Sequence, residues 1–93
     1  MAAVTPFDTE SEAIELANHT EYGLAAYVFT NHLQRAWRVA ERLDCGVVGV
    51  NDGIPLAAPC PFGGRRQSGW GREAGLEGMD AFLEPKYISM GIE

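Results

Sequence analysis

The sequence predicts an α/β fold: a partial parallel sheet built on one βαβ unit, followed by a C-terminal edge strand. Three observations carry this. Leu24 to Thr30 (LAAYVFT) and Val47 to Val50 (VVGV) are short and almost continuously apolar, like strands buried on both faces of a parallel sheet. Between them, Leu33, Ala36, Trp37, Ala40 and Leu43 recur at helical spacing, with Arg35, Arg38, Glu41 and Arg42 on the other side. Near the end, Phe82 to Met90 reads as extended chain, and Pro85, which cannot donate a ladder hydrogen bond, suits an edge strand or a strand start.

The elements follow in order. Thr9-Glu10-Ser11-Glu12 fits a capping box, in which threonine and glutamate satisfy each other's backbone donors. Ala13, Leu16 and Ala17, widened by Ile14, continue a helix over residues 10–19 until Asn18-His19-Thr20 ends it. Gly23 punctuates before the first strand. Asn31 is placed to cap the second helix, and Gly46 to end it. Past Asn51 periodicity is lost until about Gly71, and Pro55, Pro59 and Pro61 exclude a regular element there. A third helix is expected from Gly71 or Arg72 to Ala81, with Leu76 and Met79 turned inward. There is no internal repeat and no linker. Two parallel strands need further strands beside them and helices on both sides, so the topology predicts a fragment of something larger.

Composition excludes several functions. The chain has 93 residues, 46% hydrophobic and 22% charged, values of an ordered globular chain. A net charge of −6 argues against a dedicated nucleic-acid binder. No apolar run approaches a membrane span, and the N-terminus lacks signal-peptide regions, which makes a cytoplasmic location the expectation. Cys45 and Cys60, with His19 and His32, lack the paired short spacings of a zinc site, so no metal is expected.

Function is sought in the run Pro61 to Glu73, PFGGRRQSGWGRE, which holds four glycines, three arginines, two aromatics and one serine. Glycine clusters mark backbone that takes unusual angles or passes close to something, and loops held this way carry binding residues. Gly69 to Gly75 is one residue too long for a dinucleotide fingerprint and follows a proline-rich loop instead of a strand. No Walker-type Gly-Lys-Ser/Thr is present. An Arg-Gly RNA-binding segment is disfavoured by its shortness and the acidic chain. Two readings stay open. One is a tight structural turn with solvated arginines. The other is one wall of a substrate pocket, with Phe62 as an apolar face, Ser68 as a hydroxyl donor, and Arg65, Arg66 or Arg72 adding positive potential for an anionic group.

Several spaced motifs then give a family resemblance over about Phe7 to Ile92. Ala17-Asn18 through Tyr22-Gly23-Leu24-Ala25-Ala26-Tyr27-Val28-Phe29 is similar to the N-x-x-x-Y-G-L-A-A motif of aldehyde dehydrogenases. Gly49-Val50-Asn51, then Pro61-Phe62-Gly63-Gly64, then Ser68-Gly69-Trp70-Gly71-Arg72-Glu73 resembles the C-terminal segment of that superfamily. Gln67-Ser68-Gly69 and the ending Lys86-Tyr87-Ile88-Ser89-Met90 most resemble succinate-semialdehyde dehydrogenases.

The resemblance implies oxidation of a small aldehyde to the acid, with hydride passed to NAD or NADP. It places the βαβ unit in the catalytic domain's sheet, residues 1–82 in that domain, and 83–93 in an oligomerisation strand or tail that pairs across subunits. Phe62 matches the aromatic lining the aldehyde tunnel near the nicotinamide. Ser68 matches a serine that helps hold the distal carboxylate, and Asn51 and Leu56 match positions flanking the tunnel. The family's cysteine nucleophile, general-base glutamate and dinucleotide domain belong to upstream segments not in this chain, so no catalytic residue is expected here. Cys60 takes the place of a small residue and shows no adjacent base or helix start to lower its pKa. Arg66 replaces the usual lysine, and Trp70 stands where a smaller apolar residue is more common. The expected function is therefore a C-terminal part of an aldehyde dehydrogenase, inactive and cofactor-free alone, that self-associates or joins the remainder of such an enzyme. The competing class is a non-enzymatic interaction or oligomerisation module derived from that family, which could pair by its free edge strand and apolar face.

Overall fold

Thr9 caps the first helix, α1 (Glu10–Asn18), its Oγ accepting the Glu12 N–H at 3.2 Å. The other half of the capping box shifts by one residue, because the Glu12 carboxylate accepts the Asp8 N–H at 2.9 Å. The computed structural model describes residues 1–92; Glu93, the last residue of the expected 83–93 tail, lies outside them. After α1 come β1 (Ala25–Val28), α2 (Leu33–Arg42) and β2 (Val47–Val50). The strands pair in parallel from Ala25↔Val47 to Val28↔Val50, which is the predicted βαβ unit. A single 3-10 turn (Arg66–Ser68) and a one-turn helix, α3 (Glu77–Asp80), complete the regular elements.

The core is small. Ile14 of α1, Val39 of α2, Leu43 and Cys45 are buried together, and Ala26, Val28 and Val48 pack against them from one face of the sheet. On the other face, Ala25, Tyr27 and Val47 meet Ile54, Pro55, Leu56 and Phe62 of the long loop. That cover is thin, since Tyr27 stays 51% exposed. Burial of the strands on both faces is thus only half achieved within this chain.

Three expectations are corrected. Asn31 does not cap α2: the N-cap is His32, without a side-chain cap, and the Thr30 hydroxyl accepts the His32 N–H at 3.2 Å. That local turn starts the helix one residue later than the sequence indicates. Gly46 does not end α2, which stops at Arg42 with Leu43 already extended; its role is the close approach described below. The third helix shrinks to Glu77–Asp80, leaving Leu76 and Met79 exposed. Its expected first turn is diverted because Gly71, Ala74 and Gly75 all take positive φ while Glu73 pairs with Phe62. Along α2, the predicted apolar face divides: Ala36, Val39 and Leu43 are buried, but Leu33 and Trp37 are 74% and 65% exposed.

From 83 to 92 the chain enters no helix or ladder, and Leu83, Tyr87, Ile88, Met90 and Ile92 are exposed. The radius of gyration is 18.4 Å and the longest dimension 71 Å. A compact domain of this length would have a radius of about 12 Å. The architecture is an extended piece of sheet and helix, with ends that project from a small core.

One ion-pair group joins the two long helices. Arg38 Nε lies 2.6 Å from Glu10 Oε1, and Arg35 Nε lies 3.3 Å from Glu10 Oε2. Hydrogen bonding from Arg38, foremost, holds the Glu10 carboxyl down at about 2, from an ordinary value of 4.5. A depressed carboxylate stabilises the fold above its unfolded pKa and loses that contribution as pH falls through its folded one. Acid titration followed by circular dichroism is therefore expected to show stability lost between pH 4.5 and about 2. Glu10→Gln should flatten that part of the profile. Because the group is at the surface, salt should shrink the difference, and an unchanged profile in Glu10→Gln would refute the linkage.

Candidate functional site

The glycine-rich segment is a closed loop. Phe62 and Glu73 exchange backbone hydrogen bonds of 2.8 and 2.7 Å, which close its neck. Arg72 Nη1 reaches across to donate to Gly64 O at 2.8 Å. At the far end the 3-10 turn folds Ser68 against Gly64, so closely that a Cβ on Gly64 would overlap Ser68.

The loop tip is docked on the turn before β1. The Arg65 N–H donates to Gly23 O at 2.9 Å and the Gln67 N–H to Glu21 O at 3.0 Å. In return the Gly23 N–H donates to Ser68 Oγ at 2.9 Å. Arg66 adopts a left-handed backbone, φ 54, and its guanidinium donates to three carbonyls: Asn18 O at 3.1 Å, Thr20 O, and Asp44 O at 2.9 Å. The first two lie at the C-terminal end of α1, where carbonyls lack intrahelical partners and favour a cation. Asp44 pairs with both Arg65, at 3.0 Å, and Arg66, at 3.3 Å. All three loop arginines are therefore engaged inside the chain. They are not simply solvated, which corrects the reading of a turn with free arginines.

The expected pocket residues fall in two places. Leu56 and Phe62 meet in a shallow apolar cavity of about 180 Å³, with Leu24, Tyr27 and Ile54. Phe62 and Ser68 share a neighbouring recess of about 230 Å³ with Leu24, Trp70 and Arg72. Phe62 thus stands between the two, and neither of these cavities is lined by both Leu56 and Ser68. Ser68 Oγ is occupied as an acceptor by Gly23, which leaves its O–H as a donor.

Sequence reasoning gave too little to two asparagines. Asn18 Nδ2 donates to Arg42 O at 2.9 Å and its Oδ1 accepts the Asp44 N–H at 2.8 Å, tying the end of α1 to the end of α2. Asn51, in left-handed backbone at φ 52, accepts the Thr30 N–H at 2.9 Å and donates to Thr30 O at 3.0 Å. It clasps the strand ends beside the loop. The signal was present for both: asparagine tolerates left-handed backbone and offers a donor and an acceptor at once.

Cys60 is exposed, and its thiol has no hydrogen-bond partner among the described residues. Cys45 is buried and donates to Val47 O at 3.1 Å, and burial pushes its thiol above the ordinary range. No group of three or more His, Cys, Asp or Glu among the described residues could hold a metal. No helix among the described residues is long and apolar enough to cross a membrane. Within the loop, the amides of Arg65, Gln67 and Ser68 are engaged within the chain.

A parallel βαβ unit carrying this docked glycine loop is aldehyde dehydrogenase architecture, and the chain belongs to the aldehyde dehydrogenase family, whose model matches residues 1–88. Among its relatives, the mitochondrial succinate-semialdehyde dehydrogenase of Oryza sativa subsp. japonica is 55% identical over 91 residues, covering 98% of this chain and 17% of that protein. The crystal structure of succinate-semialdehyde dehydrogenase from Burkholderia pseudomallei superposes with a TM-score of 0.76 at 50% identity, over 80% of this chain and 15% of that one. That of betaine aldehyde dehydrogenase from Staphylococcus aureus in complex with NAD+ gives a TM-score of 0.81 at 42% identity, over 94% of this chain and 19% of that one. The chain thus spans less than a fifth of the length of the proteins it matches.

Proposed function

We propose that this chain is a C-terminal part of an NAD(P)-dependent aldehyde dehydrogenase that oxidises succinic semialdehyde to the acid. In this reading it supplies a wall of the substrate pocket and contacts between subunits. The observation that carries it is the convergence of Phe62 and Leu56 on one apolar cavity beside the docked loop, in a chain 55% identical to a succinate-semialdehyde dehydrogenase. Phe62 would face the aldehyde end and the nicotinamide, Leu56 the hydrocarbon chain, and Ser68 would donate its free O–H toward the distal carboxylate. Residues 1–82 would belong to the catalytic domain and 83–93 to the oligomerisation strand. NAD or NADP would accept the hydride; its phosphates and the nucleophilic cysteine would be held by residues outside this chain. A cytoplasmic location remains part of the proposal.

The purified chain, incubated with succinic semialdehyde and NAD or NADP, is expected to give no nicotinamide reduction. Reproducible, protein-dependent reduction would sink the claim that it is inactive alone. A second reading, a non-enzymatic self-association module, is favoured by one observation: Leu33, Trp37, Val48 and Val50 line an open groove of about 370 Å³ beside the sheet. Light scattering on the same sample separates the two, since a well-behaved monomer contradicts self-association.

A further inference from the structure

The glycine loop touches the rest of the chain in two ways that differ in kind. At its neck, Phe62 and Glu73 hold each other within the loop. At its tip the contacts reach distant segments: Arg65, Gln67 and Ser68 meet Glu21 and Gly23, and Arg66 meets Asn18, Thr20 and Asp44. The turn they grip leads straight into Leu24, which lines the recess that Phe62 shares with Ser68 and one of the two cavities that Phe62 shares with Leu56. The two walls of the recess are therefore coupled through the tip, in addition to the close approach of Gly63 to Gly46.

The geometry points to Arg66 and Ser68 as positioning residues, a latch that fixes the loop to the Thr20–Gly23 turn and so sets the spacing between Phe62 and Leu24. Ser68 closes one point by accepting the Gly23 N–H, and Arg66 closes the other by binding the end of α1 and the Asp44 carbonyl. Arg66 holds a left-handed backbone that a non-glycine residue adopts only when its surroundings fix it, and these contacts do so. A buried reporter lies beneath the latch: Cys45 shares a cavity with Arg66, Ser68, Gly23 and Leu24. The consequence for substrate rests on the proposed pocket; the latch itself does not, and its test needs no activity.

The test is the rate at which iodoacetamide alkylates Cys45 in the full chain carrying Cys60→Ser, with the same chain in urea as the open reference. The parent is expected to protect Cys45. Ser68→Ala should label about tenfold faster while far-UV circular dichroism is kept, the shift in opening that loss of one part-buried hydrogen bond produces, and Arg66→Ala, which removes three bonds to carbonyls, should label at least as fast. Ser68→Thr keeps the acceptor and should restore protection. If Arg66→Ala loses its dichroism, Ser68→Ala against Ser68→Thr decides alone. Labelling of both alanine variants at the parent's rate overturns the latch, as does a parent that labels as fast as the chain in urea, or a threonine variant that behaves like alanine.

Discussion

Gly46→Ala is expected to destabilise the chain more than any other substitution of a glycine in it. Gly46 lies between α2 and β2, its N–H donating to Gly23 O at 2.9 Å, and the loop crosses it backbone to backbone. A Cβ there would overlap the Gly63 carbonyl and stand 3.2 Å from Gly64 Cα. Neither neighbour is the end of a flexible side chain, so relief requires lifting the loop and the contacts of its tip. Overpacking of a close-fitting site costs about 1–3 kcal/mol, and more where backbone must move. A loss of at least about 3 kcal/mol in urea denaturation is the expected result. Gly53→Ala is the control, because nothing lies within 4 Å of a Cβ there; it should be neutral or slightly stabilising through the unfolded chain. A Gly46→Ala chain with the stability of Gly53→Ala would refute the close approach.

Ile14→Ala should cost nearly as much, about 2–4 kcal/mol. Ile14 is 4% exposed and joins α1 to Val39, Leu43 and Cys45. Few other residues share that core, so no neighbouring apolar layer can close over the cavity. The informative comparison is Trp37→Ala, which removes a larger side chain that is 65% exposed. Exposed truncations forfeit little burial, and the melting temperature should move far less than with Ile14→Ala. Equal losses from the two would mean that the face of α2 carrying Trp37 is packed in solution.

That contrast also marks how far the sequence could be read. The βαβ unit was legible because apolar runs and helical spacing are local patterns, and Ala25 to Val28 and Val47 to Val50 pair as those patterns require. Thr9 was legible as a cap for the same reason. Trp37 and Leu33 were not, because periodicity marks a face as apolar without saying whether this chain carries its cover. Leu76 and Met79 were misplaced because helix propensity after Gly71 yields to a long-range constraint, the pairing of Glu73 with Phe62. Around the loop, the residue types of the glycine run pointed to Phe62 and Ser68, the family resemblance added Leu56, and the structure brings Phe62 to each of the other two. What stayed hidden was the work of its arginines. Charge is visible in a sequence, but the carbonyls at the end of α1 that attract Arg66 appear only once the helix has formed and the loop has returned to it.

The hydrogen bond between Gly23 and Ser68 joins positions 45 residues apart, whereas the two strands are joined across a single helix. Chain closure of the longer span loses more entropy, and it has little to attach to before the strand pair and the end of α1 exist. Folding is therefore expected to run from helix to strand pair to loop. The same order run backwards makes the glycine loop the first segment to detach on heating or in denaturant, while the βαβ unit still holds. A chain whose loop has detached can accordingly still give a helical spectrum, and exposure of Cys45 on heating is expected to precede the visible melt.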